Sequence, residues 1–155
     1  CDWSSDVCSS DLTFENTGKH ISPELAEEIC RLVDNHSSYV QQLSWLLWIR
    51  TINTATTEQL SYALEDLLDQ NNILFQSETE NLSAYQMNFL KAIVDGIHTK
   101  FSSKEVISKY NLGTSANIVR LKNALLQKEL IETNGKEIVL ADPVFGVWFK
   151  KEMLY

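Results

Sequence analysis

The sequence predicts a mainly α protein: a small helical bundle over residues 13–82, then three helices and a two-stranded β-hairpin over residues 83–155. Three observations lead there. Only two prolines and five glycines interrupt 155 residues, so long segments can run as unbroken helix. Apolar residues recur at helical spacing behind readable start signals. Near the end, Asn134-Gly135 stands between two short β-prone runs, which is a strong hairpin signal.

Taken in order, Ser22-Pro23 opens the first helix, with Ser as cap and Pro at the first helical position; Leu25, Ile29, Leu32, Val33 and His36 follow in register to about Asn35. A second helix is expected from about Ser38 to Ile52. Tyr39, Leu43, Leu46, Leu47 and Arg50 lie on one side and Trp45, Trp48 and Ile49 widen the apolar belt, so this helix should be largely buried. Thr56 with Gln59 forms a capping box for a third helix carrying Leu60, Ala63, Leu64, Leu67 and Leu68, with Asn71-Asn72 past its end. Residues 72–82 then read as an acidic connection in which Ile73, Leu74 and Phe75 dock.

In the second half, Ser83 and Gln86 make another capping box, and Tyr85, Phe89, Leu90, Ile93 and Val94 give a helix stopped at Gly96. Ser102 and Glu105 open a short helix with Val106, Ile107 and Tyr110. Asn111-Leu112-Gly113-Thr114 supplies a tight turn, and Ser115 caps the next helix, to about Lys128. The runs 130–133 and 136–140 flank the Asn134-Gly135 turn, which would set Glu132 opposite Glu137. Asp142-Pro143 starts a last helix bearing Val144, Phe145, Trp148 and Phe149. Three helices followed by a two-stranded ribbon constitute a winged helix-turn-helix.

Charge divides along the same line. The net −8 hides three cations against eleven acids in residues 13–82 and ten cations against seven acids in residues 83–155. Residues 1–12 have no initiator Met, cationic start or apolar core, and resemble translated sequencing-adaptor read-through; they are expected to be a non-native tail, with the gene continuing upstream. Two of the three cysteines lie there, leaving Cys30 in the body, so no disulfide framework is expected and a cytoplasmic setting is. The longest apolar runs are far too short to span a membrane.

Catalytic patterns are missing. The glycines stand singly, so no GxxxxGK[ST], GxGxxG or GxSxG occurs, and His20, His36 and His98 lie too far apart to suggest a metal site. Cys30 reads as a small buried hydrophobe. The adjacent carboxylates Glu27-Glu28 and Glu65-Asp66 diverge by about 100° on a helix and read as solvated faces. The chain by itself is not expected to be an enzyme.

The helix after the turn is the most informative stretch. Ile118, Val119, Leu121, Leu125 and Leu126 form its core side, with Lys122 at the edge. Asn117, Arg120, Asn123 and Gln127 share the opposite face; such side chains can read base edges, while Lys100, Lys104 and Lys109 could hold phosphates. A polar face that docks on protein is the other reading. The small positive excess and the Glu132–Glu137 pair weigh against nucleic acid.

Several stretches together carry a resemblance: Tyr39-Val40-Gln41-Gln42-Leu43 with Trp48, Leu67-Leu68 with Gln70-Asn71, Tyr85-Gln86 with Phe89-Leu90, the run from Tyr110 to Asn117, and Asp142-Pro143-Val144-Phe145 with Trp148-Phe149. In that order they resemble the C-terminal region of archaeal-type P-loop ATPases of the AAA+/signal-transduction class, a family found also in Bacteroidetes-like bacteria. The resemblance covers residues 13–155. It implies a helical lid, then a winged helix, then a partner reached through it, with ATP and magnesium bound by an N-terminal P-loop core that lies outside this stretch. It also implies that the turn at Asn35-His36-Ser37-Ser38-Tyr39 leans on the nucleotide, making His36 and Tyr39 nucleotide-facing. Ser37 stands where that family has proline, so a helix-capping role for Ser37 or Ser38 is the competing expectation. The alternative for the whole is a free-standing winged-helix transcription regulator with a helical effector or dimerisation domain.

Overall fold

Ser22 starts helix α1, Pro23–Leu32, as its order with Pro23 implies: its hydroxyl accepts the Leu25 amide at 3.2 Å and Pro23 takes the first position. The computed structural model describes residues 14–153, so the expectations for residues 1–12 lie outside the described residues. α1 buries Leu25, Ala26, Ile29 and Cys30. Two left-handed residues, Asp34 and Asn35, then turn the chain into α2, Ser37–Arg50. Neither Ser37 nor Ser38 caps α2. His36 holds the cap position without a side-chain bond, and Ser38 accepts from Gln42 instead.

The expectation of a largely buried α2 is corrected. Val40, Leu43, Ser44 and Leu47 face the core, but Trp45 is 54% exposed and Ile49 55%. A bundle this small offers one core side, and the i, i+3, i+4, i+7 row fills it.

Helix α3, Thr57–Glu80, begins with the expected capping box: Thr56 and Gln59 exchange side-chain and backbone bonds at 3.1 and 3.2 Å. It does not end at Asn71-Asn72, and residues 72–80 are helix, not a connection. Asn71 stays within the helix by donating its side-chain amide to the Leu67 carbonyl at 2.8 Å, and no Gly or Pro follows to stop it. Phe75 and Thr79, one turn apart, are buried, whereas Ile73 and Leu74 remain exposed rather than docking. The chain divides into two units inside this helix, one ending at Ile73 and the other beginning at Leu74.

In the second unit, α4, Ala84–Val94, carries the complete Ser83–Gln86 capping box. α5, Lys104–Tyr110, is capped by Ser103, whose hydroxyl accepts the Val106 amide, and not by Ser102. A turn closed by the Ser103 amide on the carbonyl of left-handed Lys100 sets that phase. Left-handed Asn111 and Gly113, at φ 50° and 84°, form the tight turn into α6, Ser115–Gln127. Its cap is Thr114 rather than Ser115, because Thr114 is still extended and accepts the Asn117 amide.

Strands β1, Ile131–Asn134, and β2, Glu137–Leu140, form an antiparallel ribbon. The loop between them is Gly135-Lys136, not Asn134-Gly135. Gly135, at φ 61°, takes the first loop position, where a II′ turn wants it, so the loop moves by one residue and each cross-strand partner by two. Glu132 therefore faces Val139, Asn134 faces Glu137, and the expected Glu132–Glu137 pair does not form. The backbone at His98 lies along β2: the Ile138 amide donates to the His98 carbonyl at 2.9 Å, and His98 Nδ1 donates to the Ile138 carbonyl at 3.1 Å.

Asp142 caps the last helix, α7, Pro143–Met153, accepting the Val144 and Phe145 amides at 2.8 and 3.0 Å. α7 buries Val144, Phe145, Trp148 and Phe149. Phe75 stands edge-on to Phe145 at 5.4 Å and tilted against Trp148 at 5.6 Å, which makes the end of α3 part of this core. Near them, burial and then the Asp142 carboxylate raise the Glu78 carboxyl above its ordinary range. A carboxyl raised by folding binds its proton more tightly folded than unfolded, so its stabilising contribution is present at low pH. That contribution is lost as pH rises from the ordinary carboxylate range through the raised value. Glu78→Gln should therefore flatten the pH dependence of the urea midpoint in mild acid and raise stability at neutral pH by at most about 0.5 kcal/mol, since most of the carboxyl stays in screening water.

Candidate partner or nucleic-acid interface

Helix α6 places the candidate contact residues. Ile118, Leu121 and Leu125 are its buried row, and Lys122 and Leu126 are half-buried beside it. Val119, expected on the core side, is 61% exposed, because the i, i+3, i+7 row already fills the contact. Arg120, Asn123 and Gln127 are exposed on the outer side.

Asn117 shares that side but is differently engaged. It is half-buried, and its side-chain amide donates to the Leu112 carbonyl at 3.0 Å, tying the helix start to the turn. Together with Arg120 it lines a groove of about 290 Å³ whose other walls are Tyr85, Gly113, Thr114 and Ala116. Tyr85, read from sequence as part of the apolar register of α4, is 44% exposed, and its ring edge lies 3.5 Å from where a Cβ on Gly113 would stand. Helical spacing could not have singled Tyr85 out, since it lies in register with buried Phe89.

The three lysines are not part of that groove. Lys100 is a left-handed residue in the loop before α5, Lys104 is the first residue of α5, and Lys109 is near its end; all are exposed. The Lys109 ammonium lies 4.9 Å from the Tyr110 ring centre, and its pKa is raised, first by a side-chain hydrogen bond to Tyr110. The Tyr110 hydroxyl itself donates to Asp95 at 3.0 Å.

His36 and Tyr39 lie together at the start of α2, ring centres 5.0 Å apart and tilted by 45°, with His36 exposed and Tyr39 half-buried. Gly18, Gly96, Gly113 and Gly135 serve four separate turns, and no three of His, Cys, Asp and Glu gather among the described residues. No helix among the described residues is long and apolar enough to cross a membrane.

Helix-turn-helix and ribbon together define a winged helix, and residues 73–151 match the family model described as a probable winged helix domain. The match takes in half of the chain, and the chain belongs to that family. Its fold is also similar to that of the Walker-type ATPase PABY2304 of Pyrococcus abyssi, with a TM-score of 0.71 and 19% identity over 97% of this chain. The chain spans 42% of the length of that ATPase. None of the curated proteins matches it.

Proposed function

We propose that this chain is the C-terminal, non-catalytic part of a P-loop ATPase of the AAA+/signal-transduction class, with residues 13–82 as a helical lid and residues 83–155 as a winged-helix interaction module. The observation that carries this reading is the likeness of fold, over nearly the whole chain, to a Walker-type ATPase of which it spans 42%. ATP and magnesium belong to the upstream core of the intact, cytoplasmic protein. His36 and Tyr39, exposed and half-buried at the head of α2, are the residues assigned to face the nucleotide. The lid moves with nucleotide state and passes that motion to the winged helix. Support for the coupling comes from α3, whose helix is unbroken through Ile73 and Leu74.

The winged helix docks on a protein in this reading. A major-groove reader presents the first turns of its recognition helix to base edges. Here Asn117 spends its amide on Leu112, and the Tyr85 ring stands beside Gly113 at that end of the helix. The register of the ribbon withdraws the Glu132–Glu137 repulsion as an argument against DNA, yet both glutamates remain exposed on the wing.

A mobility-shift series with the 155-residue chain at low and physiological salt tests the choice. No submicromolar binding to duplex DNA is expected. A DNA reader would bind with marked salt sensitivity; Arg120→Ala would cost it about 1–3 kcal/mol and relax base preference, and Lys104→Ala would weaken all sequences alike. That outcome would replace the docking module with the free-standing winged-helix regulator.

A further inference from the structure

The groove between α4 and the start of α6 is built from elements free of acid. Neither α4, nor the turn at residues 111–114, nor α6 contains an Asp or a Glu, in a chain that has 21. Their charged side chains are Lys91, Arg120 and Lys122, all cationic. Asp95, just past the end of α4, accepts from the Tyr110 hydroxyl at 3.0 Å. Arg120 is exposed and forms no ion pair among the described residues, so the guanidinium of this groove has no carboxylate from its own fold. The groove is also preformed. The Asn117 side-chain amide donates to the Leu112 carbonyl at 3.0 Å and that of Asn88, more loosely, to the Asn111 carbonyl at 3.4 Å, which ties the turn to both helices. Gly113 keeps the groove open, since a Cβ there would stand 3.2 Å from the Asn117 amide nitrogen and 3.5 Å from the Tyr85 ring.

Charge and shape together define what fits. A carboxylate-rich segment meets no repulsion from any element lining the groove, and Arg120 can take a carboxylate through two parallel N–H bonds. The exposed Tyr85 ring offers a flat apolar platform beside it. A volume of about 290 Å³ suits one or two inserted side chains rather than a folded domain. We propose that this groove binds an acidic segment of a partner protein, with a carboxylate on Arg120 and a neighbouring apolar or aromatic side chain on Tyr85. Tyr and Arg are residue types that carry much of the binding energy at protein interfaces. The proposal rests on the protein-docking reading above and adds to it the chemistry of the partner and the two anchoring residues, which neither the winged-helix match nor the likeness of fold assigns.

The test uses arrays of short immobilised peptides whose acidic and aromatic contents vary independently, probed with the labelled 155-residue chain. Peptides combining Asp or Glu with Phe, Trp or Leu should bind, and their Asn and Gln counterparts should not. Fluorescence anisotropy then measures the best peptide in solution. Arg120→Glu and Tyr85→Ala, both at exposed positions, should each weaken it about tenfold or more. Lys128→Glu, the same change of charge at the exposed far end of α6, should weaken it by less than about threefold. Ala116→Trp, which fills the groove from an exposed helix position, should block binding and serves as the second variant if Tyr85→Ala disturbs α4. Equal losses for Arg120→Glu and Lys128→Glu would reduce the binding to general charge attraction and overturn the assignment of the groove. Binding of no acidic peptide, with duplex DNA also unbound, would overturn this proposal and leave the protein-docking reading standing. Duplex DNA that displaces the peptide at submicromolar concentration would overturn both.

Discussion

Phe75→Ala should lower the unfolding free energy by about 3–5 kcal/mol, among the largest losses a single truncation in this chain can produce. The ring is 1% exposed and meets Phe145 and Trp148 at 5.4 and 5.6 Å, so its removal leaves a cavity between the end of α3 and α7. Those neighbours are themselves buried, which limits how far the gap can close. Guanidinium unfolding followed by far-ultraviolet circular dichroism measures the loss. A cost below about 1 kcal/mol would mean that α3 does not reach into the winged-helix core.

Ile73→Pro should cost about 3 kcal/mol or more, while Ile73→Ala should be close to neutral. The side chain is 82% exposed, so truncating it removes little packing. The backbone, however, lies in the interior of a helix running from Thr57 to Glu80, where proline removes one hydrogen bond and strikes the carbonyl one turn back. A connection at this position would tolerate both substitutions equally. The same unfolding measurement on the pair of variants therefore separates a continuous helix from a linker.

Most of the architecture was legible because the helix starts are written in side chains that bond locally. Ser22-Pro23, Thr56 with Gln59, Ser83 with Gln86, and Asp142-Pro143 each open a helix as their chemistry demands. The departures occur where tertiary context chose between two acceptable local answers. Asn71 favours a helix end by propensity, but a downstream pair of buried residues, Phe75 and Thr79, draws the helix on. Asn134-Gly135 and Gly135-Lys136 are both acceptable two-residue loops, and choosing the second moves every cross-strand partner by two residues while each side chain keeps its face. Caps at Ser103 and Thr114 shift by one residue for the same kind of reason, the turn before each helix setting the phase.

The candidate site was legible only in part. Arg120, Asn123 and Gln127 share the outer side of α6 as spacing requires, but spacing does not show that Asn117 serves the turn or that Tyr85 walls the groove. Hydrophobic content likewise said that α2 was apolar without saying which residues had a partner. Trp45 and Ile49 are apolar in sequence yet more than half exposed in the fold, a difference that helical spacing alone does not show.

Reading the genomic DNA upstream of codon 13, amplified from source material, tests the ATPase assignment most directly. An open reading frame should continue upstream into a domain with a GxxxxGK[ST] loop and a downstream magnesium-binding acid. A start codon and ribosome-binding site immediately before codon 13, with no such loop, would contradict it and leave a free-standing winged-helix protein.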